Sequence, residues 1–161
     1  MKDDNYYFHQ TPRELAEKLV SLIEYEKNDI FYEPFRGEGA FYDIMPEPKL
    51  WSEIEQGFDF FTFNFEVNHI ITNPPCKIDG KNCIIRIMDR CFKLADKSVN
   101  LLVNYQTWNS MTPLRLQKFK DKGWNLTGIT ICNVKKWYGR YYFLQFRKDK
   151  EAIVSWLKGT Y

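Results

Sequence analysis

Residues 29–41 read Asp29-Ile30-Phe31-Tyr32-Glu33-Pro34-Phe35-Arg36-Gly37-Glu38-Gly39-Ala40-Phe41. The apolar run at 29–32 predicts a short strand. Pro34 and the pair Gly37 and Gly39 then predict a tight turn, because glycine reaches positive φ at no steric cost and lets the backbone approach a ligand closely. A helical segment is expected beyond it. A strand, a glycine turn and a helix in that order form a building unit of an α/β sheet.

The rest of the chain repeats the alternation. Thr11-Pro12-Arg13-Glu14 reads as a capping box with proline at the first helical position, and Leu15, Leu19, Leu22 and Ile23 follow as an apolar stripe. Short strands are expected at 49–52 and 69–72, the second ending at Asn73-Pro74-Pro75. Residues 81–95 predict a helix facing inward through Ile84, Ile87, Met88, Cys91 and Leu94, and 99–103 a buried strand. Thr112-Pro113 opens another helix ending near Gly123; 126–134 and 141–147 predict an antiparallel pair, and 151–157 a terminal helix. The fold class expected is a doubly wound, Rossmann-like α/β domain, mostly parallel with a late antiparallel strand.

Length and composition bound the function. The 161 residues fit one domain. No apolar run approaches the ~20 residues of a membrane span, and the opening MKDDNYYFHQ lacks the basic and apolar regions of a secretory signal. Cys76, Cys83, Cys91 and Cys132 make no paired CxxC framework, and with two histidines no metal site is expected. Free thiols fit an intracellular, cytoplasmic setting. Charge is divided: residues 1–72 carry 6 Lys/Arg against 15 Asp/Glu, and 73–161 carry 17 against 6. Such a split points to a basic face for a polyanion.

The stretch from Glu33 to Phe41 resembles the Asp/Glu-Pro-Phe-x-Gly-x-Gly-x-Phe motif of amino-directed methyltransferases, enzymes that methylate exocyclic amino groups in nucleic acid. Phe8-His9-Gln10-Thr11-Pro12 is similar to that family's Thr-Pro element. The resemblance implies S-adenosylmethionine as cofactor, held by Thr11, Pro12, Glu33, Pro34, Phe35, Gly37, Gly39, Phe41 and Asn73. Glu53, about 20 residues beyond the first acid, has the place of a ribose-binding carboxylate, with Ile54 against the adenine ring. Gly57-Phe58-Asp59-Phe60 resembles the family's Gly-Asp-Phe element, which implies Asp59 on the adenine amino group and Phe60 along the ring.

Asn73-Pro74-Pro75-Cys76 resembles the catalytic Asn-Pro-Pro-aromatic motif. An exocyclic amine is a poor nucleophile because its lone pair is delocalised into the ring. The Asn73 side-chain carbonyl and the Pro74 backbone carbonyl can accept its hydrogens and aim the lone pair, so that positioning supplies much of the catalysis. Prolines hold these carbonyls in extended geometry. The fourth position departs from the family, since Cys76 stands where an aromatic stacks on the target base. Three readings stay open: another aromatic such as Trp108, Trp137 or Tyr138 stacks instead; the chain is weak or inactive; or Cys76 attacks a cytosine, as the Pro-Cys dipeptide of C5-methyltransferases does.

In the basic half, Lys135-Lys136-Trp137-Tyr138-Gly139-Arg140 interleaves cations and rings, the usual means of holding phosphates and bases. With Trp108, Lys77 and Lys81 it is the expected nucleic-acid surface, and Lys148 is expected to add to it. The function expected is methylation of adenine N6, in DNA ahead of RNA. A nucleic-acid-binding subunit that needs a partner, or acts as a homodimer, is the alternative; a protein glutamine methyltransferase is a further one. No separate target-recognition domain is visible.

Overall fold

The computed structural model describes residues 10–157; Phe8 and His9 of the entry motif lie outside them. Helix α1 (Arg13–Val20) precedes strands β1 (Phe31–Glu33) and β2 (Lys49–Trp51), and β3 (Val67–Thr72) follows a single 3₁₀ turn at Ile54–Gln56. A small hairpin, β4 (Lys77–Ile78) and β5 (Lys81–Asn82), leads into α2 (Ile84–Leu94) and β6 (Ala95–Asn104). Then come α3 (Tyr105–Asn109), α4 (Pro113–Asp121), β7 (Asn125–Cys132) and β8 (Tyr141–Arg147).

Six strands form one sheet in the order β2-β1-β3-β6-β8-β7. Strands β2, β1, β3 and β6 run parallel, and β8 pairs antiparallel with both β6 and β7. The mostly parallel α/β architecture expected from the sequence is present. The strand order steps outward from β1 to β2 and then returns to β3 on the other side. That reversal opens a crevice at the carboxyl ends of β1 and β3, where open α/β sheets bind ligands.

The central strands carry near-continuous apolar runs because both faces are covered. Ile70, Ile71, Val99, Leu101 and Leu102 are fully buried. On one face α2 lays down the five predicted side chains plus Phe92, all buried. Phe92 stacks on Trp124 at 5.0 Å and meets Phe146 at 5.2 Å. Each such side chain contributes about 1.5–3 kcal/mol by leaving water. On the other face Ala16, Leu19 and Ile23 pack with Phe31, Ile71 and Phe143.

At the amino ends of the parallel strands the sheet is fastened by charge. His69 Nε2 meets Asp29 Oδ2 at 2.8 Å, its Nδ1 meets Ser98 Oγ at 2.7 Å, and Lys97 donates to Asp29 Oδ1 at 2.8 Å. Burial pushes the Asp29 carboxyl up, but the Glu26 amide, Lys97 and His69 outweigh it and hold the group at about 2. Burial lowers the His69 pKa despite Asp29 beside it.

Several expectations are corrected. Thr11 does not cap α1: Pro12 occupies the N-cap with no side-chain bond, and the Thr11 hydroxyl turns to Asn73 instead. Leu22 of the apolar stripe is 46% exposed, because the helix ends at Val20. The segment after Gly39 closes only a turn, through Asp43 N to Gly39 O and Met45 N to Phe41 O. Lys81 lies in the hairpin, so α2 begins later than predicted. Residues 151–157 are not helical; Ile153 N donates to Leu126 O beside edge strand β7. Lys148 lies over the Trp124 ring at the amino ends of the parallel strands, away from the crevice.

Candidate functional site

A cleft of 1470 Å³ occupies the crevice. It is lined from the ends of β1, β3 and β6, from the 3₁₀ turn, from the hairpin and from the start of β8. Among the expected residues Thr11, Glu33, Pro34, Phe35, Gly37, Phe41, Glu53, Ile54, Asp59, Phe60, Asn73, Pro74, Pro75, Cys76 and Lys77 line it. Pro12 and Gly39 are not among the lining residues.

Glu33 ends β1 at only 2% exposure. Its Oε2 accepts from Tyr42 N at 2.7 Å. Burial raises its pKa well above the ordinary carboxyl range, and the Tyr42 amide and Arg36 only partly offset this. The turn beyond it needs its glycines: Gly37 and Gly39 have φ of 51° and 90°. A Cβ on Gly39 would also lie 3.0 Å from Asp43 Oδ1. Glu53 braces this loop across the strands, accepting from Gly37 N at 2.8 Å while capping the 3₁₀ turn. Arg36 spans the Tyr42 and Trp51 rings at 5.2 and 5.0 Å, and its Nε is buried with no hydrogen-bond partner among the described residues.

The opposite wall mixes apolar and acidic groups. Ile54 is 66% exposed at the cleft edge, whereas Phe41 and Phe60 are almost wholly buried beneath it. Asp59 Oδ1 accepts from Phe61 N at 2.8 Å, and Arg90 on α2 ties down the Phe60 and Asn64 ends of this loop at 3.1 and 3.2 Å.

Asn73 follows β3 directly. Its Nδ2 donates to Thr11 Oγ1 at 3.4 Å. Cys76 Sγ accepts from Asn104 Nδ2 at 3.3 Å, and Asn104 Oδ1 in turn caps α3 through Thr107 N at 2.9 Å. Although the residue is exposed, desolvation at its sulfur outweighs Lys77 and Asn104 and raises the thiol pKa. A protonated, hydrogen-bonded thiol is a poor nucleophile.

Sequence reasoning missed Asn104, Tyr141, Phe61 and Arg86, all of which line the cleft. Arg86 lies over the Phe61 ring at 4.1 Å. Asn104 had a usable signal, since it immediately follows the predicted strand at 99–103 and ligand residues gather at the carboxyl ends of parallel strands. Tyr141 depends on pairing opposite Asn104, which only the antiparallel register reveals.

The expected nucleic-acid residues lie beside the cleft. The loop with Lys135, Lys136, Tyr138 and Arg140 joins β7 to β8 at the end of the sheet where the cleft opens, because Cys132 and Tyr141 pair there next to Asn104. Tyr138 is 85% exposed and meets Tyr105 at 6.5 Å. Lys81 is exposed on the hairpin. Two rings are not presented as open faces: Trp137 is 8% exposed and packs on Tyr141 at 4.4 Å, and Trp108 is partly buried and stacks on Tyr142. No helix among the described residues is long and apolar enough to cross a membrane.

No family model matches the sequence, and no curated protein matches it. Solved structures do. A Listeria monocytogenes protein provisionally assigned as a class I S-adenosylmethionine-dependent methyltransferase superposes at a TM-score of 0.70 with 12% identity, covering 93% of this chain and 64% of that one. The M protein of the type I restriction enzyme EcoKI superposes at 0.64 with 12% identity, covering 88% of this chain and 44% of its own. The 23S rRNA methyltransferase ErmE gives 0.62 with 12% identity, covering 90% and 71%. The chain has the fold of the S-adenosylmethionine-dependent methyltransferases.

Proposed function

We propose that the chain transfers a methyl group from S-adenosylmethionine to an exocyclic amine of nucleic acid, with adenine N6 in DNA as the target. The observation that carries this reading is the convergence of the Glu33–Phe41 loop and the Asn73–Cys76 turn on one cleft, from neighbouring strands at the point where strand order reverses.

The residues present fit the cofactor. Glu33 is a buried carboxyl group with one amide donor, and an ammonium group beside it would favour its ionised form. Arg36 Nε is a buried donor without a partner among the described residues, suited to a carboxylate. Glu53 can accept from ribose hydroxyls, Ile54 offers an apolar face to a purine, and Asp59 can accept from its amino group. When bound, the cofactor supplies an electrophilic methyl group on sulfur. The chain supplies position: Asn73 and the Pro74 carbonyl accept the amine hydrogens and turn the lone pair outward. Thr11 touches the Asn73 amide at 3.4 Å and adds a polar neighbour on that side of the turn. The raised Cys76 pKa and its bond to Asn104 favour amine methylation over covalent attack on cytosine.

Nucleic acid as substrate is supported by the basic loop at the cleft mouth and by neighbours that include a 23S rRNA methyltransferase and the M protein of a restriction enzyme. A target base would reach the cleft by leaving its stack. The competing reading is a nucleic-acid-binding subunit that needs a partner, and Cys76 in place of an aromatic favours it. Methyl-labelled cofactor, offered with DNA, RNA and a glutamine-containing peptide, tests the proposal. Label in DNA is the expected result. Label in the peptide alone would overturn it.

A further inference from the structure

Two of the four free cysteines meet at the base of the hairpin that follows the Asn-Pro-Pro turn. In that hairpin Lys77 pairs with Asn82 and Ile78 with Lys81, joined through Asp79 and Gly80, both at positive φ. Just beyond the paired residues, where α2 begins, Cys83 N donates to Cys76 O at 3.2 Å. The two thiols are near enough to act on each other, since Cys76 helps to raise the Cys83 pKa after burial has done so. A direct backbone hydrogen bond between two residues brings their Cα atoms to within reach of the ~4.4–6.8 Å that a disulfide spans. Each sulfur has a replaceable partner: Cys76 Sγ accepts from Asn104, and Cys83 Sγ donates to Pro75 O at 3.4 Å. Cys76 is exposed in the cleft, while Cys83 is 7% exposed behind it.

We propose that Cys76 and Cys83 form a reversible disulfide with a small-molecule disulfide as oxidant, and that this bond switches the Asn-Pro-Pro turn off. Exposure sets the order of events. At raised pH the deprotonated fraction of Cys76 attacks one sulfur of glutathione disulfide, expels one glutathione thiolate and forms a mixed disulfide. The Cys83 thiolate then attacks the Cys76 sulfur and expels the second. Two cysteine thiols lose two protons and two electrons; one glutathione disulfide becomes two glutathione molecules. The product takes Cys76 from Asn104 and Cys83 from the carbonyl of Pro75, the residue next to Pro74. Burial raises both thiol pKa values, so exchange accelerates as pH rises toward the ordinary thiol range.

The switching half rests on the methyltransferase reading, whereas the disulfide is read by mass alone. The full chain is incubated with glutathione disulfide at about pH 8.5, near the ordinary thiol pKa, then alkylated, digested with trypsin and analysed by mass spectrometry. Lys77 and Lys81 lie between the two cysteines, so cleavage separates them unless a disulfide holds them. The expected result is loss of two hydrogens and a linked peptide pair carrying Cys76 and Cys83. A glutathione adduct that persists on Cys76, a link to Cys91 or Cys132, or an unmodified chain would overturn the pairing. Cys83→Ser, which keeps a donor for Pro75 O, should stop at the mixed disulfide; an internal disulfide in that variant would also overturn it. The oxidised chain should bind S-adenosylmethionine as before, lose methyl transfer and regain it with dithiothreitol. Undiminished transfer by the oxidised chain would refute the switch. A reduced chain that binds no cofactor would refute the methyltransferase reading and leave the disulfide standing.

Discussion

Glu33→Gln separates what the site needs from what the fold tolerates. The side chain is 2% exposed and accepts one hydrogen bond, from Tyr42 N, which an amide oxygen can also accept. Burial raises the Glu33 pKa, with the Tyr42 amide and Arg36 opposing. The sign follows from linkage. A carboxyl whose folded pKa exceeds its unfolded value leaves stability intact below the unfolded pKa and removes it as pH rises toward the folded pKa. Above about pH 4.5 the free protein therefore loses stability relative to Glu33→Gln, by up to about 1.4 kcal/mol per pH unit until the folded pKa is passed. Cofactor binding should respond in the opposite sense. Removing one member of a buried, hydrogen-bonded charge pair costs about 2–5 kcal/mol, which is about 30-fold to several thousand-fold in Kd. Thermal melts of both chains at pH 4 and pH 8 and calorimetric titration with S-adenosylmethionine read both effects. The variant should melt higher at pH 8, melt alike at pH 4, and bind the cofactor far more weakly. A variant that bound it as tightly as the parent would refute the ammonium-holding role.

Asn73→Ala should lower kcat by about 100- to 1000-fold, the scale of removing one preorganised polar group from the reacting centre, with cofactor affinity nearly unchanged; single-turnover kinetics and calorimetry check the pair of outcomes. Cys76→Tyr should tighten target binding by about one to two powers of ten, since base–aromatic stacking contributes roughly 1–3 kcal/mol, and fluorescence anisotropy with labelled DNA measures it. Replacing Lys135, Lys136 and Arg140 together by Ala should flatten the slope of log affinity against log salt by about 2–3, at roughly 0.7–0.9 for each phosphate no longer neutralised, while a peptide substrate would show no such change.

The parallel strands were legible because both faces are covered, so Ile70-Ile71 and Leu101-Leu102 stand as unbroken apolar runs. The two site loops were legible for a different reason: a turn that requires positive φ at Gly37 and Gly39, and a strand end stopped by Pro74 and Pro75, restrict residue choice severely. Non-local pairing was not legible. Asp79-Gly80 is a turn dipeptide, yet its flanking strands have two residues each and vanish into the helical pattern that follows. Trp137 sits among lysines and reads as a surface ring, but the β7–β8 register carries it onto Tyr141 and into the core. Residues 151–157 carry apolar side chains that suit a helix, yet the segment is irregular and bonds through Ile153 N to Leu126 O of edge strand β7. Asn104 as the neighbour of Cys76 belongs to the same class, because it joins the ends of two strands far apart in sequence.

Nucleoside mass spectrometry of DNA and RNA incubated with the purified, reduced chain and S-adenosylmethionine decides which base atom receives the methyl group. N6-methyladenine in DNA, absent with Asn73→Ala, is the expected product. Appearance of 5-methylcytosine, with transfer abolished by Cys76→Ser, would contradict it and hand the chemistry to the cysteine.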